Sequence, residues 1–317
     1  MKKYFFFILV LVSINTIAQT GGRDLKAIDE YIKGLGAMEG MSTATIENVV
    51  INHFEDKTDK LRAIYAWIAM NITYDVKAAR TSNMQKNKPA DVLASRKAVG
   101  IGFASLFQDM CSSANIRCLT VDGFVKYNTG QIGEKGTEIN HSWAVVQLGQ
   151  SPDTWYYVDP AFGSGSLDAD MKTFTKSYSD AYFFTDKASF NLQHFPNNEA
   201  WKLGPGPRGK GEFYSLPLIK TAAMEYGIKK LTPDDGTMKT KLNKPVYFTY
   251  ILGNDRAPIT SVSLGMGEKK RYKMKEVDFV YSGGTLSFSY KFDEENSFPV
   301  MILVNGKEFV GYTVEVN

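Results

Sequence analysis

The chain is poor in the residue types that carry most enzyme and metal chemistry. Its 317 residues hold two cysteines, Cys111 and Cys118, and three histidines, His53, His141 and His194. At these spacings they make none of the Cys/His ligand patterns of a structural zinc site, so no metal and no cofactor are expected. Charge of one sign is not in excess. Lys and Arg total 37 against 34 Asp and Glu, a formal net of +3, which gives no electrostatic case for nucleic acid as a partner. Beyond the extreme N-terminus no run approaches the roughly 18 apolar residues that span a bilayer, so no stable membrane insertion is expected. Repeats of fixed period and low-complexity tracts are absent too, which excludes solenoid and array architectures.

What is present begins with residues 1–18. Lys2 and Lys3 precede the apolar run Tyr4 to Ile14, and Thr16-Ile17-Ala18 places small residues before Gln19. This is the pattern of a secretory signal peptide, so export to the periplasm or beyond the cell is expected. A retained N-terminal anchor is the rival reading. Export would permit a Cys111–Cys118 disulfide. Two small buried thiols explain the same residues, and both readings stay open.

Helical periodicity follows. Leu25, Ile28, Ile32 and Leu35 share one face of a helix over 24–35, inside an N-terminal extension spanning 19–42. A helix over 43–54 starts at Ser42 or Thr43, and another runs 58–71 with Leu61, Ile64, Tyr65 and Ile68 in register. Lys88-Pro89 opens a short helix. Residues 100–114 form a fourth long one, with Phe103, Leu106, Phe107 and Met110 on one side. The period then changes from helix to strand over 116–126, 141–148 and 154–159. Helices first and an antiparallel sheet after them indicate an α+β domain over 43–203. Leu-Gly-Pro-Gly-Pro-Arg-Gly-Lys-Gly at 203–211 reads as a linker, over 204–211. Beyond it, 212–317 alternates in short runs at 244–252, 259–265, 276–281, 285–292 and 299–304. Asn305-Gly306 is strong hairpin chemistry, and the region reads as an all-β, immunoglobulin-like sandwich.

The most informative stretch is Arg96-Lys97-Ala98-Val99-Gly100-Ile101-Gly102-Phe103-Ala104-Ser105-Leu106-Phe107. It is followed by Asn140-His141-Ser142-Trp143 and by Trp155-Tyr156-Tyr157-Val158-Asp159-Pro160. His141 opens one strand and Asp159 ends its partner, so antiparallel pairing brings the two together. A helix N-terminus beside such a couple is where a thiolate would be stabilised. These residues resemble the transglutaminase-like superfamily, whose nucleophile motif reads roughly R-K-x-V-C-x-G-[FY]-[AS]-x-L-F. Every element is present except the cysteine, which is Gly100 here. The family's histidine falls on His141 and its aspartate on Asp159. Tyr74 and Trp143 flank them as binding candidates. Tyr182-Phe183-Phe184-Thr185-Asp186, His194-Phe195-Pro196 and Trp201-Lys202-Leu203 resemble the kyphoscoliosis-peptidase branch.

The resemblance implies a papain-like cysteine-hydrolase core, and Gly100 removes the atom that would form an acyl intermediate. Cys111 lies about three turns along the same helix, roughly 16 Å away, too far to substitute. The expectation is therefore a pseudoenzyme that holds a polypeptide or cell-envelope polymer in the former substrate cleft. A hydrolase in which His141 and Asp159 activate water, or a purely structural spacer, are the alternatives. His141 as a strand-edge histidine and Asp159 as turn chemistry remain open as plainer readings. His53 and His194 show no partner pattern and are expected to pack.

Overall fold

A computed structural model describes residues 24–81, 87–253, 258–267 and 272–317. Residues 1–18, read from the sequence as a signal peptide, lie outside the described residues.

Three helices start on side-chain caps that the sequence supplies. Asp24, Ser42 and Asp56 accept hydrogen bonds from the first-turn amides of helices Leu25–Leu35, Thr43–Ile51 and Lys57–Asn71. Each cap satisfies donors that the helix itself cannot. The Lys57–Asn71 helix is the centre of the domain: Leu61 through Ala69 are all buried. Arg62 is among them, and it is tolerated because its guanidinium meets Asp29 through two hydrogen bonds at 2.7 and 2.6 Å. Such bidentate pairing offsets the cost of burying the charge.

The short strand Lys97–Ala98 pairs in parallel with Thr73–Tyr74. Val99 then turns extended backbone into the Gly100–Ser113 helix. Its buried face, Phe103, Leu106, Phe107 and Met110, is the apolar face expected from the sequence. The helix packs on an antiparallel sheet in the order Trp155–Val158, His141–Gln147, Arg117–Val125, His194–Pro196. Gly123 sits in the third of these strands. A β-carbon there would come within 2.3 Å of the Phe195 carbonyl oxygen and 2.5 Å of the Trp143 ring, so only glycine lets the ring lie across the strand.

The C-terminal part is β-rich, with two packed sheets. One has the order Ile228–Thr232, Pro245–Leu252, Thr285–Lys291, Phe279–Ser282. The other has Thr237–Thr240, Lys307–Val316, Ser297–Val304, Val262–Met266, Lys273–Glu276. Asn305 and Gly306 both take positive φ, 50° and 74°, in the tight turn that joins Ser297–Val304 to Lys307–Val316, as the hairpin chemistry requires. Phe248 and Tyr312 meet between the sheets with ring centroids 5.8 Å apart.

The segment at 204–211 differs from a free tether. Asn191 Nδ2 donates to the carbonyls of Gly204 and Pro205 at 3.1 and 2.9 Å. A helix, Lys210–Ser215, begins within its last two residues and buries Phe213 and Tyr214 against Phe124 and Phe195 of the first domain. The composition of the segment is that of a linker, but its carbonyls and the rings that follow it find partners on the domain surface.

Candidate functional site

Asp159 is fully buried at the end of strand Trp155–Val158. With Pro160 at the first helical position, it caps the short helix Pro160–Gly163. Its Oδ1 accepts from the amides of Ala161 and Phe162 at 2.9 and 3.0 Å. That leaves Oδ2 to face the sheet, where two imidazoles meet it. His141 Nε2 lies 2.7 Å away and His194 Nε2 lies 3.0 Å away. Burial alone would raise the carboxyl pKa. The charge and hydrogen bond of His141, then the hydrogen bond and charge of His194, outweigh it and hold Asp159 well below the usual carboxylate range. An ionised carboxylate only accepts, so each Nε2 carries the proton and donates.

His141 Nδ1 then points at the start of the Gly100–Ser113 helix. A β-carbon at residue 100 would lie 2.7 Å from Nδ1, 3.0 Å from Cε1 and 3.1 Å from the amide nitrogen of Ser142. The imidazole thus occupies the volume that a side chain at residue 100 would take. Nδ1 is buried and has no hydrogen-bond partner among the described residues. The structure therefore brings Gly100, His141 and Asp159 together at one point. Two plainer readings fail here: His141 is 4% exposed, not a solvated edge residue, and Asp159 does more than close a turn.

His194 packs, as expected, and has a partner that the sequence did not announce. It is stacked on Phe190 at 3.9 Å, and it is also the second donor to Asp159. Burial lowers its pKa to about 4 against the opposing pull of the Asp159 hydrogen bond and charge, so the ring is neutral near pH 7. Three groups of the kind that ligate metals converge here, although their spacing in the sequence gave no ligand pattern. One ligand atom each from His141, Asp159 and His194 lie within 4.8 Å of one another, an N/O donor set that first-row metals accept. In the sequence these residues are 18 and 35 positions apart, and no local ligand pattern announces them. The same atoms already satisfy each other through the two hydrogen bonds.

Of the binding candidates, Tyr74 lines a cavity of about 50 Å³ beside His141, together with Lys126, Tyr127, Phe162 and Phe174. Trp143 does not line it. Its indole is fully buried behind the imidazoles, with centroids 6.2 Å from His141 and 5.2 Å from His194. Trp143 is a supporting wall, because alternation in the strand directs it to the face opposite Ser142. Lys126 is the residue that sequence reading missed. A lysine ending a strand gives no local signal of burial. Cys111 and Cys118 are both free and buried, so the disulfide reading does not hold in this structure.

An imidazole–carboxylate couple aimed at a helix N-terminus, on helices followed by an antiparallel sheet, defines the class: a papain-like cysteine-hydrolase scaffold. Residues 45–160 match the model of the transglutaminase-like superfamily, and the chain carries a domain of that superfamily in its kyphoscoliosis-peptidase branch. It is 35% identical to mouse kyphoscoliosis peptidase over 185 residues, which cover 57% of this chain and 27% of the mouse protein. The human kyphoscoliosis peptidase is 31% identical over 221 residues, 69% of this chain and 32% of that protein. The Lim and transglutaminase domain protein ltd-1 of Caenorhabditis elegans is 25% identical over 307 residues, 91% of this chain and 37% of that protein. The chain spans well under half the length of each of these relatives.

Proposed function

We propose that this chain is an exported, non-catalytic binding protein that holds a polypeptide or cell-envelope polymer in the cleft beside His141. The observation that carries the reading is the closed space at Gly100. By the motif resemblance residue 100 falls where the superfamily has its cysteine, and the His141 imidazole fills the space beside it, 2.7 Å from where a β-carbon would sit. No side-chain atom at residue 100 is available to form an acyl bond. The rate left to a triad hydrolase without its nucleophile is on the order of 10³–10⁴ over water, far below useful turnover.

Incubation with casein and a labelled amine tests this. The expected result is no amine incorporation, no ammonia release and no cleavage above the level of a His141→Ala variant. Turnover that His141→Ala abolishes would overturn the reading. The buried, unbonded Nδ1 of His141 favours one alternative, hydrolysis by a water that this nitrogen activates. That alternative requires a rate that falls with protonation of a single histidine.

A further inference from the structure

The 50 Å³ cavity beside His141 has an unusual charge balance. Its lining includes two lysines, Lys126 and Lys220, and no aspartate or glutamate. Lys220 has a counter-ion, Glu308, at 3.5 Å. Lys126 is 5% exposed, and no carboxylate lies within ion-pair distance of its ammonium among the described residues. Its Nζ donates to the Phe213 carbonyl and lies 4.1 Å from the centroid of the Phe213 ring. The Tyr214 ring lies farther off, at 5.8 Å. An ammonium has three N–H donors, and one carbonyl is the single hydrogen-bond acceptor it meets among the described residues, with the rings as weaker partners. A buried charge without a partner is costly, and such groups concentrate where a ligand supplies the partner. Burial pushes the lysine pKa down to about 7, so near neutral pH the group is divided between amine and ammonium, and an anion entering beside it would favour the ammonium.

Size narrows the ligand. A cavity of 50 Å³ admits a carboxylate, not a whole side chain or a sugar ring. Tyr127 and Lys220 also line a second cavity of about 250 Å³, whose other wall includes Tyr272, Met301 and Glu308 of the C-terminal sheets. The larger cavity is where the remainder of a ligand would lie.

The geometry points to Lys126 as an anion subsite that takes a carboxylate of a bound polypeptide, either its C-terminus or an acidic side chain. This rests on the binding function proposed above. It adds that the group entering the cavity is acidic and that Lys126 selects it.

Fluorescently labelled peptides on the full-length protein test it. One peptide is Gly-Ala-Gly-Ala-Gly as the free acid, one is the same peptide amidated, and one is amidated with a central Glu. The expected result is that at least one acidic peptide binds about tenfold or more tighter than the neutral one, a difference of about 1.4 kcal/mol. Lys126→Met removes that difference, and Lys126→Arg retains part of it. Formate competes with the acidic peptide while chloride at equal ionic strength does not, which keeps the test valid if Lys126→Met fails to fold. Equal binding of acidic and neutral peptides overturns the subsite and leaves the binding function standing. A Lys126→Met protein that loses thermal stability but keeps the wild-type preference also overturns it, because the ammonium would then be a structural group served by Phe213. Failure of all three peptides to bind overturns the subsite and the polypeptide ligand, and leaves a cell-envelope polymer as the occupant of the cleft.

Discussion

At the scale of single residues, Gly100 carries the sharpest consequence. Replacing glycine by alanine within a helix ordinarily stabilises it by up to about 1 kcal/mol. The backbone here is not in the positive-φ region that favours glycine, so conformation alone allows alanine. The new methyl would nevertheless stand 2.7 Å from His141 Nδ1 and 3.1 Å from the Ser142 amide. His141 cannot swing freely, because Asp159, Phe162 and Trp143 hold it. Overpacking of this kind costs about 1–3 kcal/mol, so Gly100→Ala should lower unfolding free energy in urea titrations by that amount. His141→Ala should remove the collision, so the double variant should be more stable than the sum of the two single losses predicts. Strict additivity would show that the imidazole does not fill this space. Gly100→Cys meets the same obstacle. If the imidazole yields, the new thiol sits at a helix N-terminus and should react with iodoacetamide faster than Cys111, whose pKa burial and then Cys118 raise.

At the scale of elements, the site is a joint between strand ends. Asp159 caps one helix with one oxygen and ties two strands with the other. Two of the groups that make these ties, His194 and Asp159, have shifted pKa values. His194 has a folded-state pKa near 4, below the ordinary histidine value of 6.5. Between those values the unfolded chain binds a proton that the folded chain refuses, so stability falls as pH drops from about 6.5 toward 4. Asp159 is also depressed. Its contribution is present above the ordinary carboxylate pKa and is lost at lower pH still, as the folded-state value is passed. Urea denaturation between pH 7.5 and 4.5 should therefore show a falling midpoint. His194→Gln, which keeps an N–H donor but does not titrate, should flatten the upper part of that slope. An unchanged slope in the variant would mean that other groups set the acid response.

The same elements show what the sequence made legible. The helix starts near Thr43 and at Gly100, and the strands opening at His141 and within a residue of Trp155, were readable because caps, apolar period and turns are local signals. The approach of His141 to Asp159 followed from a short antiparallel connection. His194 was not readable. Its strand pairs Val125 with His194 across an intervening span of the chain, and its bond to Asp159 depends on sheet order. Lys126 was hidden for the same reason: Phe213 and Tyr214, which cover it, come from a helix that starts at the end of the Gly/Pro-rich segment and runs into what reads as the all-β region.

At the scale of the molecule, that linker decides how the protein unfolds. A Pro/Gly-rich tether between two independent cores would give two transitions, because each domain would melt on its own. Here the apolar core runs without a break from Ile28 and Trp67 through Tyr182 to Ile219, Met224 and Val316. Polar bonds cross the same boundary. Gln193 Nε2 donates to the Ile219 carbonyl at 3.0 Å, Tyr182 Oη meets Thr221 Oγ1 at 3.1 Å, and Ser179 Oγ donates to Glu225 at 3.0 Å. Gln193 and Tyr182 are buried, so separating the parts would strand polar groups as well as expose apolar surface. The two parts should therefore unfold as one cooperative unit. Calorimetry of the full chain should give a single endotherm whose van't Hoff and calorimetric enthalpies agree. Gln193→Ala, which leaves the Ile219 carbonyl without its donor, should lower the melting temperature of that single transition without splitting it. Two resolved endotherms in the wild-type protein would mean that the shared core does not couple the parts. The cavity that Tyr127 and Lys220 line between them would then be no fixed cleft.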